Sequence, residues 1–416
     1  MERVVGIIAE YNPFHNGHAY HLQEAKKIAN ANYSVVVMSG NFTQRGDTSI
    51  VDKWTKTYMA LCGGADLVLE LPTVYSTSSA ENFASGAIKL FESLKIVDCV
   101  AFGTETDDLA TLNNVANVLN DEPRRYVSIL NHELRKGLSF PEARENALMM
   151  YLNDISRYAN VLKGSNNILG IEYLKAMKRQ KSTIEPIAVK RQKVYYNDNK
   201  IIDDLASSTG IRKLLEGKEF KEIRKVVPKA TYQILEQNYK KGNVVPSLAK
   251  FEKEIIYKLR TMSVAEIADL PDVSEGLENL IKDAASSSNC LVDFMAKVKS
   301  KRYTQTRIQR ILVYALLGIN KKLMEESKRC VPYARVLGFN TKGKQLMAGI
   351  TRANPKIEMI TSVKKYLNDV NKRQRPNKAL LRMLSTDMLA TDVYTIGFEY
   401  ESNANLDYTH NMIMIK

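Results

Sequence analysis

Two histidines stand three positions apart near the start of the chain, shortly after an apolar stretch. The apolar stretch covers residues 4–9, and His15 and His18 follow it after a short turn. Residues 19–31 have helical periodicity, so both histidines fall in the first turn of a predicted helix. Side chains three positions apart on a helix share one face. Two imidazoles beside the free amides and the positive end of a helix predict a site for the phosphates of a nucleoside triphosphate.

The same spacing also fits histidines that only cap the helix or lie on the surface. Two features favour a binding site. Gly17, between the histidines, removes the Cβ that would keep a ligand away from the backbone. The motif also falls where a predicted strand ends, which is where α/β sheets bind their ligands. His15 and His18 are therefore our candidate catalytic residues.

Strand patterns alternate with helix patterns through the first half of the chain. Apolar runs at 33–39, 66–72, 96–102 and 183–189 follow the first strand, with helices predicted between them. This alternation predicts βαβ crossovers and a parallel sheet with helices on both faces. We therefore predict an α/β nucleotide-binding domain over residues 1–228.

Polar loops follow several of these strands and so face the same predicted crevice. Residues 39–47 form one loop, Gly103 begins another, and Arg191 follows the fifth strand. Residues 207–212 open a helix with hydroxyl groups and an arginine, a second candidate phosphate contact. Solvent exposure is the more ordinary role of an arginine such as Arg191. Residues 165–167, at another helix start, fit an N-cap as well as they fit a ligand contact.

Composition restricts the function classes. Sixty lysines and arginines against 46 aspartates and glutamates leave a net charge of +14, with a pI near 9.3. We expect a nucleic-acid partner rather than a membrane, because no apolar run is long enough to span one; a generally basic solvated surface is the alternative. The first strand begins too early to leave room for a signal peptide, and the four cysteines are widely scattered. A cytoplasmic protein with reduced thiols is therefore expected.

The alternation stops after about residue 228. Residues 229–330 are predicted to form a mainly helical domain, and residues 331–416 a small α+β region. Basic side chains crowd one junction in the helical part around Tyr303, where they suit an RNA backbone and the tyrosine suits base stacking. A solvated helix face is the alternative. The candidate RNA-binding residues are Lys297, Lys299, Lys301, Arg302, Arg307 and Arg310.

Several segments resemble a known family. Residues 6–18, 38–46, 65–72 and 165–170 resemble the bacterial tRNA(Met) cytidine acetate ligases. The His-x-Gly-His motif and residues 207–212 resemble two phosphate-binding motifs of the wider superfamily of nucleotidyltransferases and class I aminoacyl-tRNA synthetases. That resemblance implies a Rossmann-like, HUP-type nucleotidyltransferase domain. The lysine-rich second motif of the synthetases is missing, which argues against a synthetase.

The resemblance implies a reaction in two steps. ATP first activates acetate to acetyl-adenylate, and the acetyl group then passes to N4 of the wobble cytidine of elongator tRNA(Met), leaving N4-acetylcytidine and AMP. Magnesium is expected on the polyphosphate, with no metal site made by the protein alone. His15 and His18 would stabilise charge, since acetate is already ionised. The implied ATP-binding residues are Ile7, Ile8, Ala9, Glu10, Tyr11, Asn12, Pro13, Phe14, His15, Asn16, Gly17, His18, Ala19, Tyr20, Gly103, Asn166, Arg191, Ser208, Thr209 and Arg212.

Two other functions fit the same core. One is a small-molecule adenylyltransferase or a carboxylate-activating ligase like pantothenate synthetase, which needs no basic helical half. The other is a non-catalytic RNA-binding scaffold, against which the intact pair of histidines argues. No residue stands out as the general base of the transfer step.

Overall fold

Eight strands form one sheet in the part of the chain that the computed structural model describes, which is residues 2–106, 108–159, 161–191, 207–274, 276–300, 302–374, 376–400 and 404–416. The order across the sheet is β5-β4-β1-β2-β3-β6-β7, and β8 also pairs with β6. The strands are β1 (Val4–Ala9), β2 (Tyr33–Ser39), β3 (Leu67–Leu71), β4 (Cys99–Thr104), β5 (Glu185–Lys190), β6 (Ala334–Phe339), β7 (Met359–Ile360) and β8 (Ile413–Met414).

The first five strands are parallel, as the alternating pattern predicts. Their carboxyl ends therefore share one edge of the sheet. Helices cover both faces of the sheet. Neighbouring residues of a strand point to opposite faces, so an apolar strand contributes side chains to a core on each side. In β2, Val35 and Val37 pack into one apolar cluster, and Val36 and Met38 pack into the other. The predicted Rossmann-like α/β fold is confirmed.

Several helices of the first half contact this sheet. Helix α1 lies against β1, β4 and β5, so its first turn meets the carboxyl ends of the strands. The helices are α1 (Asn16–Ile28), α2 (Lys53–Cys62), α3 (Thr73–Ser76), α4 (Ala80–Leu94), α5 (Leu109–Asp121), α6 (Arg124–Arg135), α7 (Phe140–Leu152), α8 (Ile155–Tyr158), α9 (Ser165–Arg179), α10 (Ser208–Glu216) and α11 (Phe220–Val226).

A helical region follows, as predicted, and further helices lie among the last strands. None of the helices in the described ranges is long and apolar enough to cross a membrane. They are α12 (Lys229–Lys240), α13 (Glu252–Thr261), α14 (Val264–Ala268), α15 (Leu277–Ser287), α16 (Leu291–Val298), α17 (Gln305–Leu317), α18 (Lys321–Arg329), α19 (Thr341–Ala353), α20 (Val363–Val370), α21 (Lys378–Ile396) and α22 (Leu406–Thr409).

The C-terminal region completes the first sheet rather than forming a sheet of its own. Strand β6 pairs antiparallel with β3, with Leu67 opposite Phe339 and Glu70 opposite Arg335. The sequence pattern predicts a strand here, but it contains no sign of its partner, because the pairing joins distant parts of the chain. The division into three domains at residues 228 and 330 remains a prediction.

Buried charges join the C-terminal region to β3. The Lys53 ammonium lies 3.0 Å from Glu70 Oε1 and 2.8 Å from Asp407 Oδ1. Arg335 Nη1 lies 3.0 Å from Glu70 Oε2, and its Nη2 donates to Asp407. All four side chains are at most 5% exposed. Each charge therefore depends on its partners, since water cannot replace them.

Lys53→Met should destabilise the fold by about 3–5 kcal/mol, because Glu70 and Asp407 would keep buried charges with one cation instead of two. Urea unfolding measures the free energy. Lys27→Met is the matched control, since the Lys27 side chain is 76% exposed and its pair with Glu24 is long, at 3.5 Å. Equal losses in the two variants would contradict the role given to the buried cluster.

Candidate active site

The first turn of α1 is closed by the two histidines themselves. His15 is the N-cap residue, and its Nδ1 accepts a hydrogen bond from the backbone N–H of His18 at 3.3 Å. In return, Nδ1 of His18 accepts from the backbone N–H of His15, also at 3.3 Å. The rings stack, with centroids 3.6 Å apart. This is a capping box built from two imidazoles, and it fixes both rings in place.

The hydrogen bonds also determine which ring nitrogen carries the proton. Because both Nδ1 atoms accept, each neutral ring has its proton on Nε2. Burial, and then the Arg191 charge, lowers the pKa of His15 to about 3. Burial, followed by His15, His21 and Arg191, holds the pKa of His18 well below its usual range. At neutral pH both rings are therefore uncharged and carry Nε2–H, although the His18 ring also has a hydrogen bond with the Pro13 backbone.

Gly103 and Arg191 lie together beside α1, at the ends of β4 and β5. A Cβ on Gly103 would lie 3.6 Å from Arg191 Cγ and 3.9 Å from His21 Cδ2, so it would fill the space between them. The backbone N–H of Arg191 donates to Thr104 O at 2.9 Å, which fixes where that residue leaves the sheet. The structure thus brings two of the sequence-predicted residues to one side of the histidine motif.

His21 is a residue that the sequence analysis missed. It lies three positions after His18, so its spacing on the helix face was the available signal. Its Nε2 is buried, without a hydrogen-bond partner anywhere in the described residues. Burial, and then Arg191, lowers the pKa of His21 to about 4, so this ring is also neutral. An unsatisfied buried nitrogen beside Gly103 marks this side of the crevice as a place for a polar ligand atom.

Asn166 is held by a carboxylate at the start of α9. Glu105 Oε1 accepts from the Asn166 backbone N–H at 3.1 Å and from its side-chain amide at 2.6 Å. Glu105 Oε2 accepts from the Asn167 N–H at 2.8 Å, and Asn167 Oδ1 accepts from the Glu105 N–H at 3.0 Å. Glu105 therefore occupies the positive end of α9, whereas the first turn of α1 is capped by neutral rings. Asn167 belongs to the segment predicted as an N-cap or a ligand contact, whereas the role of Glu105 was not anticipated.

The segment at 207–212 reaches the motif through its arginine. Arg212 Nη1 donates to Asn12 O at 3.2 Å, and Nη2 donates to Thr209 Oγ1 at 3.3 Å. The hydroxyl of Ser207 caps α10, and Ser208 is the first residue of that helix. Arg212 and Thr209 therefore lie next to the motif. Ser208 shares with them only its position at the start of α10.

A buried lysine that the sequence analysis also missed fixes the loops around the motif. Lys56 Nζ lies 3.0 Å from Glu10 O and 2.8 Å from each of Ser39 O, Gly40 O and Ser49 Oγ. Burial lowers the pKa of Lys56 to about 7, although nearby carboxylates oppose the change. The signal was weak: a lysine at a buried position of an amphipathic helix.

The loop at 39–47 connects this crevice to the helical region. The backbone N–H of Gln44 donates to Glu10 Oε1 at 2.7 Å. Gly46 has φ +74°, and a Cβ there would lie 2.3 Å from the backbone nitrogen of Arg310 in α17. Only glycine permits that contact. The helical region therefore adjoins the site through this loop.

The predicted RNA-binding cluster is largely paired within the protein. Lys297 lies 2.8 Å from Asp293, and Arg310 lies 2.8 Å from Asp272. Arg307 donates to Asp272 O and Ser274 Oγ, so Arg307 and Arg310 hold the turn before α15. Lys299 and Arg302 are exposed, and Lys301 lies outside the described residues.

Tyr303 does not offer the exposed ring that base stacking requires. It is only 7% exposed, and the guanidinium groups of Arg302 and Arg307 lie 5.7 and 5.3 Å from its ring centre. The expectation that it stacks on a base is therefore wrong. A tyrosine between basic residues in sequence is here a tyrosine packed beneath them.

Acid should destabilise the protein through these histidines. Unfolded histidines bind a proton near pH 6.5, whereas His15 does so only near pH 3, so the unfolded state holds more protons between these values. The free energy of unfolding therefore falls as the pH is lowered through that window, by up to roughly 1.4 kcal/mol per pH unit for each such residue. His15→Asn keeps a cap acceptor and should reduce the slope measured by urea unfolding. An unchanged slope would show that His15 is protonated in the folded state.

The chain matches known proteins over nearly its whole length. The family model described as HIGH Nucleotidyl Transferase matches residues 1–408. A tRNA(Met) cytidine acetate ligase of Caldanaerobacter subterraneus subsp. tengcongensis is 45% identical over 99% of both chains. One from Acetivibrio thermocellus is 40% identical over 99% of this chain and all of that one.

Solved structures agree with these relatives. A crystal structure of Thermotoga maritima TmcAL bound with alpha-thio ATP is 32% identical, covers 99% of each chain and has a TM-score of 0.91. The apo form of the same protein has a TM-score of 0.93 over the same share of each chain. The resemblance seen in the sequence is confirmed. The chain belongs to the HIGH nucleotidyl transferase family and, within it, to the tRNA(Met) cytidine acetate ligases.

Proposed function

We propose that this protein activates acetate with ATP and transfers the acetyl group to N4 of the wobble cytidine of elongator tRNA(Met), forming N4-acetylcytidine. The single observation that carries the activation step is the pair of fixed, neutral Nε2–H donors at the start of α1. The relatives of this chain are named tRNA(Met) cytidine acetate ligases, and that name contains both acetate and the tRNA.

The activation step needs positioned donors more than it needs a base. An acetate oxygen attacks the α-phosphorus of ATP, the bond to the β-phosphate oxygen breaks, and pyrophosphate leaves. Negative charge grows on the phosphate oxygens during this step, and donors already aimed there are strengthened as it grows. His15 and His18 can do this without proton transfer, because acetate is ionised and their rings stay neutral.

The other predicted ATP contacts are assigned by their position. Gly103, Arg191 and the α1 side of the crevice would receive the nucleoside, with Asn166 at its rim. Arg212 lies against the motif, where its guanidinium suits a phosphate. No group of three or more metal-ligating side chains occurs among the described residues, and we expect Mg²⁺ to arrive on the ATP polyphosphate.

The second substrate is a polyanion, which a chain of net charge +14 suits. Lys299 and Arg302 are exposed members of the predicted cluster, near the helical region that meets the active-site loop. An anticodon loop supplies an unstacked cytidine, so the enzyme need not open a duplex. We place the reaction in the cytoplasm, where ATP, acetate and tRNA occur together.

Exchange of labelled pyrophosphate into ATP should require acetate but not tRNA. His18→Ala should lower this exchange by about 10²–10³-fold, since one transition-state donor is lost, and should leave the affinity for tRNA nearly unchanged. His132→Ala, on the exposed face of α6, is the control. If no small carboxylate promotes exchange in the wild-type protein, the proposed activation step is wrong.

Lys299→Glu and Arg302→Glu should weaken tRNA binding and make it less sensitive to salt. Each lost phosphate contact should reduce the slope of log K against log salt by about 0.7–0.9. Filter binding over a salt series measures this, with the exposed Lys27→Glu as a reversal of equal charge on α1. Arg307 and Arg310 are unsuitable, because they support the fold. Slopes equal to that of the wild type would remove both residues from the RNA site.

A further inference from the structure

The transfer step of the proposed reaction requires a proton acceptor. N4 of the cytidine attacks the carbonyl carbon of acetyl-adenylate, forming the N–C bond. The bond from that carbon to the phosphate oxygen then breaks, AMP leaves, and N4 loses one proton. The amine is a weak nucleophile because its lone pair is delocalised into the ring, so a base that removes the proton as the bond forms assists the step.

The motif histidines do not supply this base. Each Nδ1 accepts a backbone N–H bond, and each Nε2 carries a proton. Neither ring therefore has a free lone pair in the observed arrangement. Lys56 is equally unsuitable, because its ammonium donates to a full set of oxygens. His21 is buried beside Arg191, and burial makes its ring a poor proton acceptor.

Most carboxylates near the strand ends are already committed. Glu105 accepts the N–H groups at the start of α9. Asp47 accepts from the backbone N–H of Thr48 at 2.9 Å and of Leu248 at 2.8 Å. Glu70 is buried between Lys53 and Arg335. Glu105 and Glu70 therefore have no oxygen available to a substrate amine. Both bonds to Asp47 go to its Oδ1, and Asp47 stands at the far end of the loop at 39–47 rather than beside the histidine motif in the chain.

Glu10 combines a carboxylate oxygen that is not engaged with a position directly before the histidine motif. Its Oε1 accepts the Gln44 N–H at 2.7 Å, whereas Oε2 has no hydrogen-bond partner among the described residues. Its carbonyl oxygen is fixed by Lys56 at 3.0 Å. Glu10 directly follows β1 and precedes the histidine motif, and its side chain is only partly buried. It is therefore a rigidly held carboxylate with one free oxygen at the edge where the adenylate forms.

We propose that Glu10 is the general base of the acyl transfer, and that its Oε2 takes the N4 proton as the N–C bond forms. This assignment rests on the proposed function. It also gives the loop at 39–47 a role, because the Gln44 N–H sets the direction of the carboxylate. The same loop packs on α17 through Gly46, so the base is held where the helical region meets the crevice.

Glu10→Gln tests this most directly, because the amide oxygen can still accept the Gln44 N–H but cannot take a proton. Two half-reactions are compared: acetate-dependent pyrophosphate exchange, and single-turnover transfer from enzyme-bound acetyl-adenylate to tRNA. The transfer rate should fall about 10²–10⁴-fold more than the exchange rate, with tRNA affinity retained. Glu10→Asp should recover part of the transfer rate, since it restores a carboxylate.

Glu105→Gln is the matched control, because it neutralises another carboxylate at this edge whose two oxygens are already engaged. It should not affect transfer selectively. Equal losses of exchange and transfer in Glu10→Gln would overturn the assignment and make Glu10 a residue of nucleotide binding. A normal transfer rate would also overturn it, with the departing phosphate or water as the acceptor. A wild-type enzyme inactive in both half-reactions would instead overturn the proposed function, and this assignment with it.

Discussion

The active-site loops depend on one buried cation. The Lys56 side chain is fully buried, and its hydrogen bonds go to oxygens at the ends of β1 and β2. A buried charge is tolerated only when such partners surround it, so the lysine and the two strand ends constrain one another. The histidine motif begins just after one strand end, and the loop that reaches α17 begins at the other. This one side chain therefore ties together the two strand ends that border the crevice.

The starts of two helices face this crevice, and the groups that cap their backbone amides differ in charge. The amides of α9 bind the carboxylate of Glu105, whereas those of α1 are capped by neutral imidazoles. Only the first arrangement repels a phosphate by charge. The protein thus directs a polyanionic ligand to one helix start. It also keeps the nearby rings uncharged, so their hydrogen bonds gain most when a phosphate oxygen gains charge.

Local signals predicted much of this structure, and distant contacts account for what they missed. The alternation of strands and helices follows from the short-range periodicity of apolar residues, and the spacing of His15 and His18 is an equally local signal. The capping of Asn166 by Glu105 is not, because the two residues meet only after folding. Tyr303 shows the same limit, since composition near a residue does not determine whether its ring is buried. Lys56 and Glu10 gain their roles from oxygens and amides of other elements.

The position of β6 has a consequence for synthesis on the ribosome. Every residue of strand β3 is apolar except Glu70, and its antiparallel neighbour is made much later. Until then β3 is an exposed sheet edge, the kind of surface on which unfinished chains aggregate. Glu70 is the one charged residue of that strand, and before Arg335 is made it has Lys53 but not its second cation. A charged side chain on a sheet edge disfavours pairing with a foreign strand, so the carboxylate that anchors the finished fold also suits the unfinished one.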